Sequence, residues 1–110
     1  MQYLVATDGS EASDNAVRYA MTHAAALDAT LELVHVLEPE AELIDGEIVL
    51  PGGDSAIDHG ERILGQAREL ALDHRDEDAV PVETNLLTGR PAHAITRYAQ
   101  EGDVDALYIG

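Results

Sequence analysis

Short apolar runs alternate with amphipathic helical stretches along this chain, and that alternation limits the folds open to it. Residues 3–6 are apolar and lead into the polar turn 7–10, where Ser10 is a candidate helix N-cap. Apolar residues then recur at helical spacing. Residues 31–37 are nearly all apolar, as is typical of a strand buried on both faces. This order predicts a β-α-β unit.

The same alternation continues to the end of the sequence. Apolar residues at helical spacing run from Ile63 to His74, and a strand-like run covers residues 80–87. Another helical stretch follows Pro91, and residues 106–110 form a last apolar run. The pattern predicts one α/β domain over residues 1–110, a doubly wound open parallel sheet with helices on both faces. Because no crossover follows the last strand, we expect the domain to be C-terminally incomplete in this chain, either truncated or only partly ordered.

Residues 39–54 interrupt the pattern. Acidic side chains break up its short apolar pairs, and Pro51, Gly52 and Gly53 follow them. We expect an irregular, mobile excursion here, in which Asp45 and Gly46 are candidates for the turn of a small hairpin.

The charge balance restricts the partners of the protein. The chain has 22 acidic and 6 basic residues, a net charge of −16, and every basic residue is arginine. Such a field repels phosphate backbones and anionic lipids, which argues against nucleic-acid and membrane partners. Acidic residues spread along the chain without lysine favour a halophilic protein, with an acidic mesophilic protein as the alternative.

Several kinds of chemistry are excluded by what the sequence lacks. It contains no cysteine, so disulfides and thiolate chemistry are excluded. Its histidines have no metal-ligand spacing, and neither a nucleophile elbow nor a P-loop is present. We therefore expect no catalytic residue and no metal site. No apolar run approaches the roughly 20 residues of a membrane span, and no signal peptide is evident, so we expect a cytoplasmic protein.

The candidate binding residues follow the predicted strands, because doubly wound sheets bind ligands beyond the carboxyl ends of their strands. Asp8 is suited to accept hydrogen bonds from ligand hydroxyl groups, or to act as a turn or capping residue. Arg90, beside a helix N-terminus, is suited to meet an anion, although a surface ion pair is the favoured interpretation in so acidic a chain. Gly89 is a candidate as well, although a backbone conformation needed before Pro91 is enough to explain a glycine at this position; the two interpretations are compatible.

Five stretches together resemble the universal stress protein family. They are residues 5–11 (VATDGSE), 16–20 (AVRYA), 33–37 (LVHVL), 87–92 (LTGRPA) and 104–110 (VDALYIG). Each motif is weak alone, but their order and spacing are specific. The resemblance covers the chain except for residues 39–54. It implies a parallel sheet of order 3-2-1-4-5, whose last helix and fifth strand are missing from this chain.

In the nucleotide-binding branch of that family, the resemblance implies ATP at the strand ends. Asp8 would contact the ribose, with Ala6 and Thr7 lining the same wall. The backbone of Val36 would bind adenine, and Gly89 would let the chain pass close to the nucleotide.

The resemblance also implies a phosphate loop that Ile109 and Gly110 would open. The family pattern there is G-x-x-G-x9-G-[ST], and Gly110 is the part of it that this sequence contains.

The function implied is that of a non-catalytic regulatory protein that binds ATP, with Mg²⁺, or a related adenine nucleotide, and forms a homodimer. The alternative is a nucleotide-independent dimerisation or interaction protein of the same fold. Without lysine or an activated nucleophile, the chain supports at most slow ATP hydrolysis.

Overall fold

The computed structural model describes residues 1–37, 42–44, 47–49, 54–72 and 80–109. The elements, in chain order, are β1 (Gln2–Ala6), α1 (Glu11–Leu27), β2 (Thr30–Leu37), β3 (Glu42–Ile44), β4 (Glu47–Val49), α2 (Asp54–Leu72), β5 (Val82–Thr88), α3 (Pro91–Glu101) and β6 (Ala106–Ile109).

Four strands form one parallel sheet in the order β5-β2-β1-β6. Numbered by their place among the four predicted strands, this is the order 3-2-1-4, so the predicted doubly wound topology is confirmed. The chain leaves β1 toward one edge of the sheet and later returns to place β6 on the other side of β1. Strand order therefore reverses between β1 and β6.

One face of the sheet packs against α1 and α2. Its core is a cluster of buried apolar side chains from these helices and from alternate residues of β1 and β2. They include Tyr3, Val5, Val17, Met21, Leu31, Leu33, Leu64 and Ala67. The helical stripes that the sequence predicts are the faces that supply this core.

The opposite face of the sheet packs against α3. Leu4, Ala6 and Val34 point to this side and bury Ile95 of α3 against them. Helices therefore cover both faces, as the alternation of the sequence predicts.

The capping of α1 follows the sequence as well. Ser10 occupies the N-cap, and its Oγ accepts the backbone N–H of Ser13 at 3.2 Å. At the other end, Asp28 adopts a left-handed conformation with φ of 54°, and its N–H bonds to the carbonyl of Ala24.

A second, two-stranded sheet lies within the predicted excursion. β3 and β4 pair antiparallel, with Leu43 opposite Ile48. The proposed turn residues Asp45 and Gly46 lie outside the described residues, as do 39–41 and 50–53. The mobility expected of residues 39–54 stays a prediction. His74, at the end of the predicted α2 stripe, also lies outside the described part.

Candidate functional site

The carboxyl ends of the parallel strands meet at one edge of the sheet. Ala6, the last residue of β1, lies between Val34 on β2 and Ile109 on β6. On the far side of β2, the N–H of Gly89 donates to the carbonyl of Leu37 at 3.0 Å. The loops that follow β1 and β5 therefore border a common edge, next to the point where strand order reverses.

The β1–α1 loop is held by its own hydroxyl and carboxyl groups. Asp8 Oδ1 accepts the N–H of Ser10 at 2.9 Å, and Thr7 Oγ1 accepts the N–H of Gly9 at 3.3 Å. The Thr7 hydroxyl donates to Ser13 Oγ at 3.1 Å, and the Ser13 hydroxyl donates to the Ser10 carbonyl at 3.0 Å. Gly9 has a φ of +82°, a conformation that favours glycine. These four hydrogen bonds stabilise this conformation of the loop.

Asp8 lies exposed at this edge, as the strand-end rule predicts. Hydrogen bonds from the side chain and backbone of Ser10 lower the pKa of the Asp8 carboxyl from its ordinary 3.8, although partial burial opposes the shift. Asp8 is therefore a carboxylate at neutral pH. The turn role is thus observed, and the exposed carboxylate leaves the ligand role as a prediction.

Ala6 and Thr7 are buried rather than open to the edge. Ala6 contributes to the core under α3, and Thr7 is 4% exposed with its hydroxyl bonded to Ser13. The side chain of Thr7 supports the loop that carries Asp8.

Val36 lies beyond the end of β1. The N–H of Thr7 bonds to the carbonyl of Val34 at 2.9 Å, so the backbone polar groups of Val34 face β1. In a strand, residues two apart direct these groups to the same side. The N–H and C=O of Val36 therefore point past the last residue of β1, toward the space next to the Asp8 loop, while its half-buried side chain packs on the α3 side.

Gly89 and Arg90 lie where β5 passes into α3. Gly89 has a φ of +129°, so its backbone conformation alone requires glycine. Arg90 is the exposed N-cap of α3, with no capping hydrogen bond from its side chain. Among the described residues it has no ion-pair partner, so the favoured surface ion pair is not formed within this part of the chain.

Ile109 and Gly110 follow β6. Ile109 is 64% exposed and pairs with Ala6, which places the end of β6 beside the Asp8 loop. Gly110 lies outside the described residues, so its role in a phosphate loop stays a prediction.

One residue of this edge was not selected from the sequence. The imidazole Nδ1 of His35 lies 2.8 Å from the carbonyl oxygen of Thr7. The spacing of the five histidines in the sequence is unsuitable for metal binding, and no motif singles out His35. The available signal was the position of His35 one residue before Val36, but only the structure shows which atom it meets.

Two further properties concern partners. Within the described ranges, no group of three or more His, Cys, Asp or Glu side chains is arranged to hold a metal ion. No described helix combines the length and hydrophobicity that a membrane span requires.

The sheet order and the loops at the strand ends define a doubly wound α/β domain. Its strand order reverses between β1 and β6, and it is at such reversals that open α/β sheets commonly bind ligands. The family model of the universal stress protein family matches residues 1–110, and the chain belongs to that family.

Solved structures agree with this assignment. Protein Rv1636 from Mycobacterium tuberculosis H37Rv is 28% identical, with a TM-score of 0.70 over 99% of this chain and 69% of that chain. A universal stress protein in complex with cAMP is 27% identical, with a TM-score of 0.70 over 97% of this chain and 69% of that chain. A universal stress protein from Archaeoglobus fulgidus shares the fold at 24% identity, with a TM-score of 0.77 over 100% of this chain and 75% of that chain. Among curated proteins no match is found.

Proposed function

We propose that this universal stress protein is a non-catalytic regulatory protein that binds an adenine nucleotide at the carboxyl edge of its sheet. The observation that carries the proposal is the placement of Asp8 and Val36 at the same edge. The Asp8 carboxylate lies in the loop after β1, and the N–H and C=O of Val36 on the adjacent strand β2 point past the last residue of β1. The related structure that holds cAMP supports the same ligand class.

The two groups suit the two halves of a nucleoside. The carboxylate of Asp8 accepts hydrogen bonds from ribose hydroxyl groups. The N–H and C=O of Val36 offer one donor and one acceptor, which complement the N1 acceptor and the N6 amino donor of adenine. Together they would recognise adenosine without any catalytic group.

The phosphates of a nucleotide would be repelled by the protein, since the chain carries a net charge of −16. Arg90 is an exposed cation at the same edge and at the N-terminus of α3, where backbone N–H groups favour anions. We propose that ATP binds with Mg²⁺, which reduces the repulsion, and that added salt strengthens binding by screening.

Isothermal titration with ATP, AMP and cAMP in molar KCl tests the proposal. Asp8→Ala should weaken binding strongly, because it removes the ribose acceptor. Asp105→Ala is the matched control: its exposed carboxylate accepts the N–H of Gln2 at 2.8 Å, at the opposite end of β1. Undiminished nucleotide binding by Asp8→Ala would contradict the role of Asp8, and no binding by the wild type would contradict the function.

A nucleotide-independent interaction role is favoured by a different observation. Leu107 and Ile109 of β6, an outer strand of the described sheet, are 39% and 64% exposed. Apolar side chains on an outer strand favour association, including a homodimer. Sedimentation of the wild type and Asp8→Ala, with and without ATP, separates the two functions. A dimer unaffected by either change favours the interaction role.

A further inference from the structure

We infer that His35 is a positioning residue of the adenine site: its imidazole takes the place of the Val36 N–H as the hydrogen-bond donor to the Thr7 carbonyl, so that this N–H is available to a ligand. This inference rests on the proposed function for its ligand, but its structural part is testable without any nucleotide.

The hydrogen bonds between parallel strands follow a regular pattern. Thr7 donates its N–H to the carbonyl of Val34, and the next bond of such a ladder would run from the N–H of Val36 to the carbonyl of Thr7. Among the described residues that backbone bond is not formed. The Nδ1 atom of His35 instead lies 2.8 Å from the Thr7 oxygen.

The contact also determines which nitrogen of the ring carries a proton. A carbonyl oxygen only accepts hydrogen bonds, so Nδ1 must be the donor. The neutral ring is therefore the Nδ1–H tautomer.

Helix α2 packs closely against the ring of His35. Gly60 is buried against β2 and β5, and a Cβ at this position would lie 3.3 Å from Cδ2 of His35 and 2.6 Å from Cδ2 of Leu86. The absence of a side chain at Gly60 thus allows the helix backbone to lie against the imidazole.

In the proposed site, two residues bond to each other and the residues that follow them contact the ligand. His35 and Thr7 each precede a residue assigned to the ligand, Val36 and Asp8. The bond between them fixes the spacing of the adenine and ribose contacts, and it ends the ladder at the residue that meets the base.

Selectivity for the base separates this role from a merely structural one. Adenine matches the N–H and C=O of Val36, whereas hypoxanthine reverses the donor and acceptor at N1 and C6. In His35→Leu, the N–H of Val36 is expected to bond to Thr7. AMP should then bind about two- to tenfold more weakly, with little change for IMP. If the substitution only loosened the structure of the site, the binding of AMP and IMP would weaken to the same extent.

Rescue and control variants complete this test. His35→Asn places an amide donor where Nδ1 lies and should restore AMP affinity to within about twofold. His23→Leu is the matched control, because the half-buried His23 also has its Nδ1 2.8 Å from a partner, the hydroxyl of Tyr108. It lies about 20 Å along α1 from Ser10, away from the site. Equal losses for AMP and IMP in His35→Leu would overturn the inference.

Two measurements on the ligand-free protein decide the structural part. ¹⁵N NMR should show His35 as the Nδ1–H tautomer, and the amide of Val36 should exchange with solvent faster than that of Val34. In His35→Leu, exchange at Val36 should slow. An Nε2–H tautomer, or a protected Val36 amide in the wild type, would refute the role of His35 even if nucleotide binds. Absence of nucleotide binding with the expected tautomer and exchange would contradict only the proposed function.

Discussion

The carboxylate of Glu32 on β2 accepts a hydrogen bond from the hydroxyl of Tyr98 on α3, across the interface between sheet and helix. Glu32 is 6% exposed, and its two oxygens also accept from Gln2 Nε2 at 3.0 Å and Asn85 Nδ2 at 2.9 Å. A buried carboxylate is thus stabilised by neutral donors from three elements, and it ties α3 to the sheet.

Removing one of these donors should destabilise the fold. Tyr98→Phe keeps the ring but leaves Glu32 short of a partner, and we expect a loss of about 1–3 kcal/mol in the free energy of unfolding. Urea unfolding in molar KCl measures the loss. The same substitution in a Glu32→Gln background should cost less, because the unsatisfied group is then uncharged; an equal cost in both backgrounds would contradict this account.

The same pair predicts a loss of stability at high pH. Burial raises the pKa of Tyr98 to about 12, with further contributions from the hydrogen bond to Glu32 and the charges of Glu32 and Glu83. Since the ordinary value is 10.0, this contribution is fully present below pH 10 and is lost as the pH rises toward 12. Thermal unfolding between pH 9 and 12 should show a steeper decline for the wild type than for Tyr98→Phe. Unfolding temperatures that decline in parallel for the two proteins would contradict the raised pKa of Tyr98.

The pKa of Asp8 is shifted in the opposite direction to that of Tyr98, so Asp8 should affect stability at low pH. Its pKa is lowered by the hydrogen bonds from Ser10, so its stabilising effect is present above the ordinary 3.8 and is lost as the pH falls through the lowered value. ¹³C NMR of the carboxyl carbon should give a midpoint below 3.8. Ser10→Ala should move the midpoint upward, and a midpoint that does not move would contradict the assigned cause.

Two glycines of α2 should respond differently to alanine. At Gly65 no atom lies within 4 Å of an added Cβ, so Gly65→Ala should stabilise the protein by about 0.5–1 kcal/mol through helix propensity. At Gly60 the added Cβ would lie 2.6 Å from Leu86, so the gain is offset by a forced rearrangement. Gly60→Ala should therefore be less stable than Gly65→Ala by about 1–2 kcal/mol in denaturant unfolding. Equal stabilities would refute the close packing of α2.

Salt should stabilise the folded chain as a whole. The net charge of −16 produces self-repulsion, which is screened over about 3 Å at 1 M salt and over about 10 Å at 0.1 M. The melting temperature should rise from millimolar to molar KCl, as the halophilic interpretation requires. A melting temperature independent of KCl would contradict that interpretation.

The sequence predicts which residues lie in the turn after β1, but it does not predict the contacts that these residues make with other strands. Asp8 could be located because a polar turn follows an apolar run, and Ser10 could be assigned as a cap from its residue type. The burial of Thr7 and the contact of His35 with its carbonyl depend on how β2 extends past β1. That offset is a property of the strand register, which no local pattern encodes.

Alternation of strand and helix periodicity, by itself, determined the fold class, the two covered faces and the edge of the sheet at which the strand-end loops meet. These follow because a parallel strand needs a crossover helix and because strand ends carry the loops. Tertiary structure alone decided that Val36 directs its polar groups past β1 and that a histidine side chain takes the Thr7 carbonyl. The physical reason is that hydrogen-bond partners between strands are set by packing across about 28 residues of chain, whereas periodicity reports only on immediate neighbours.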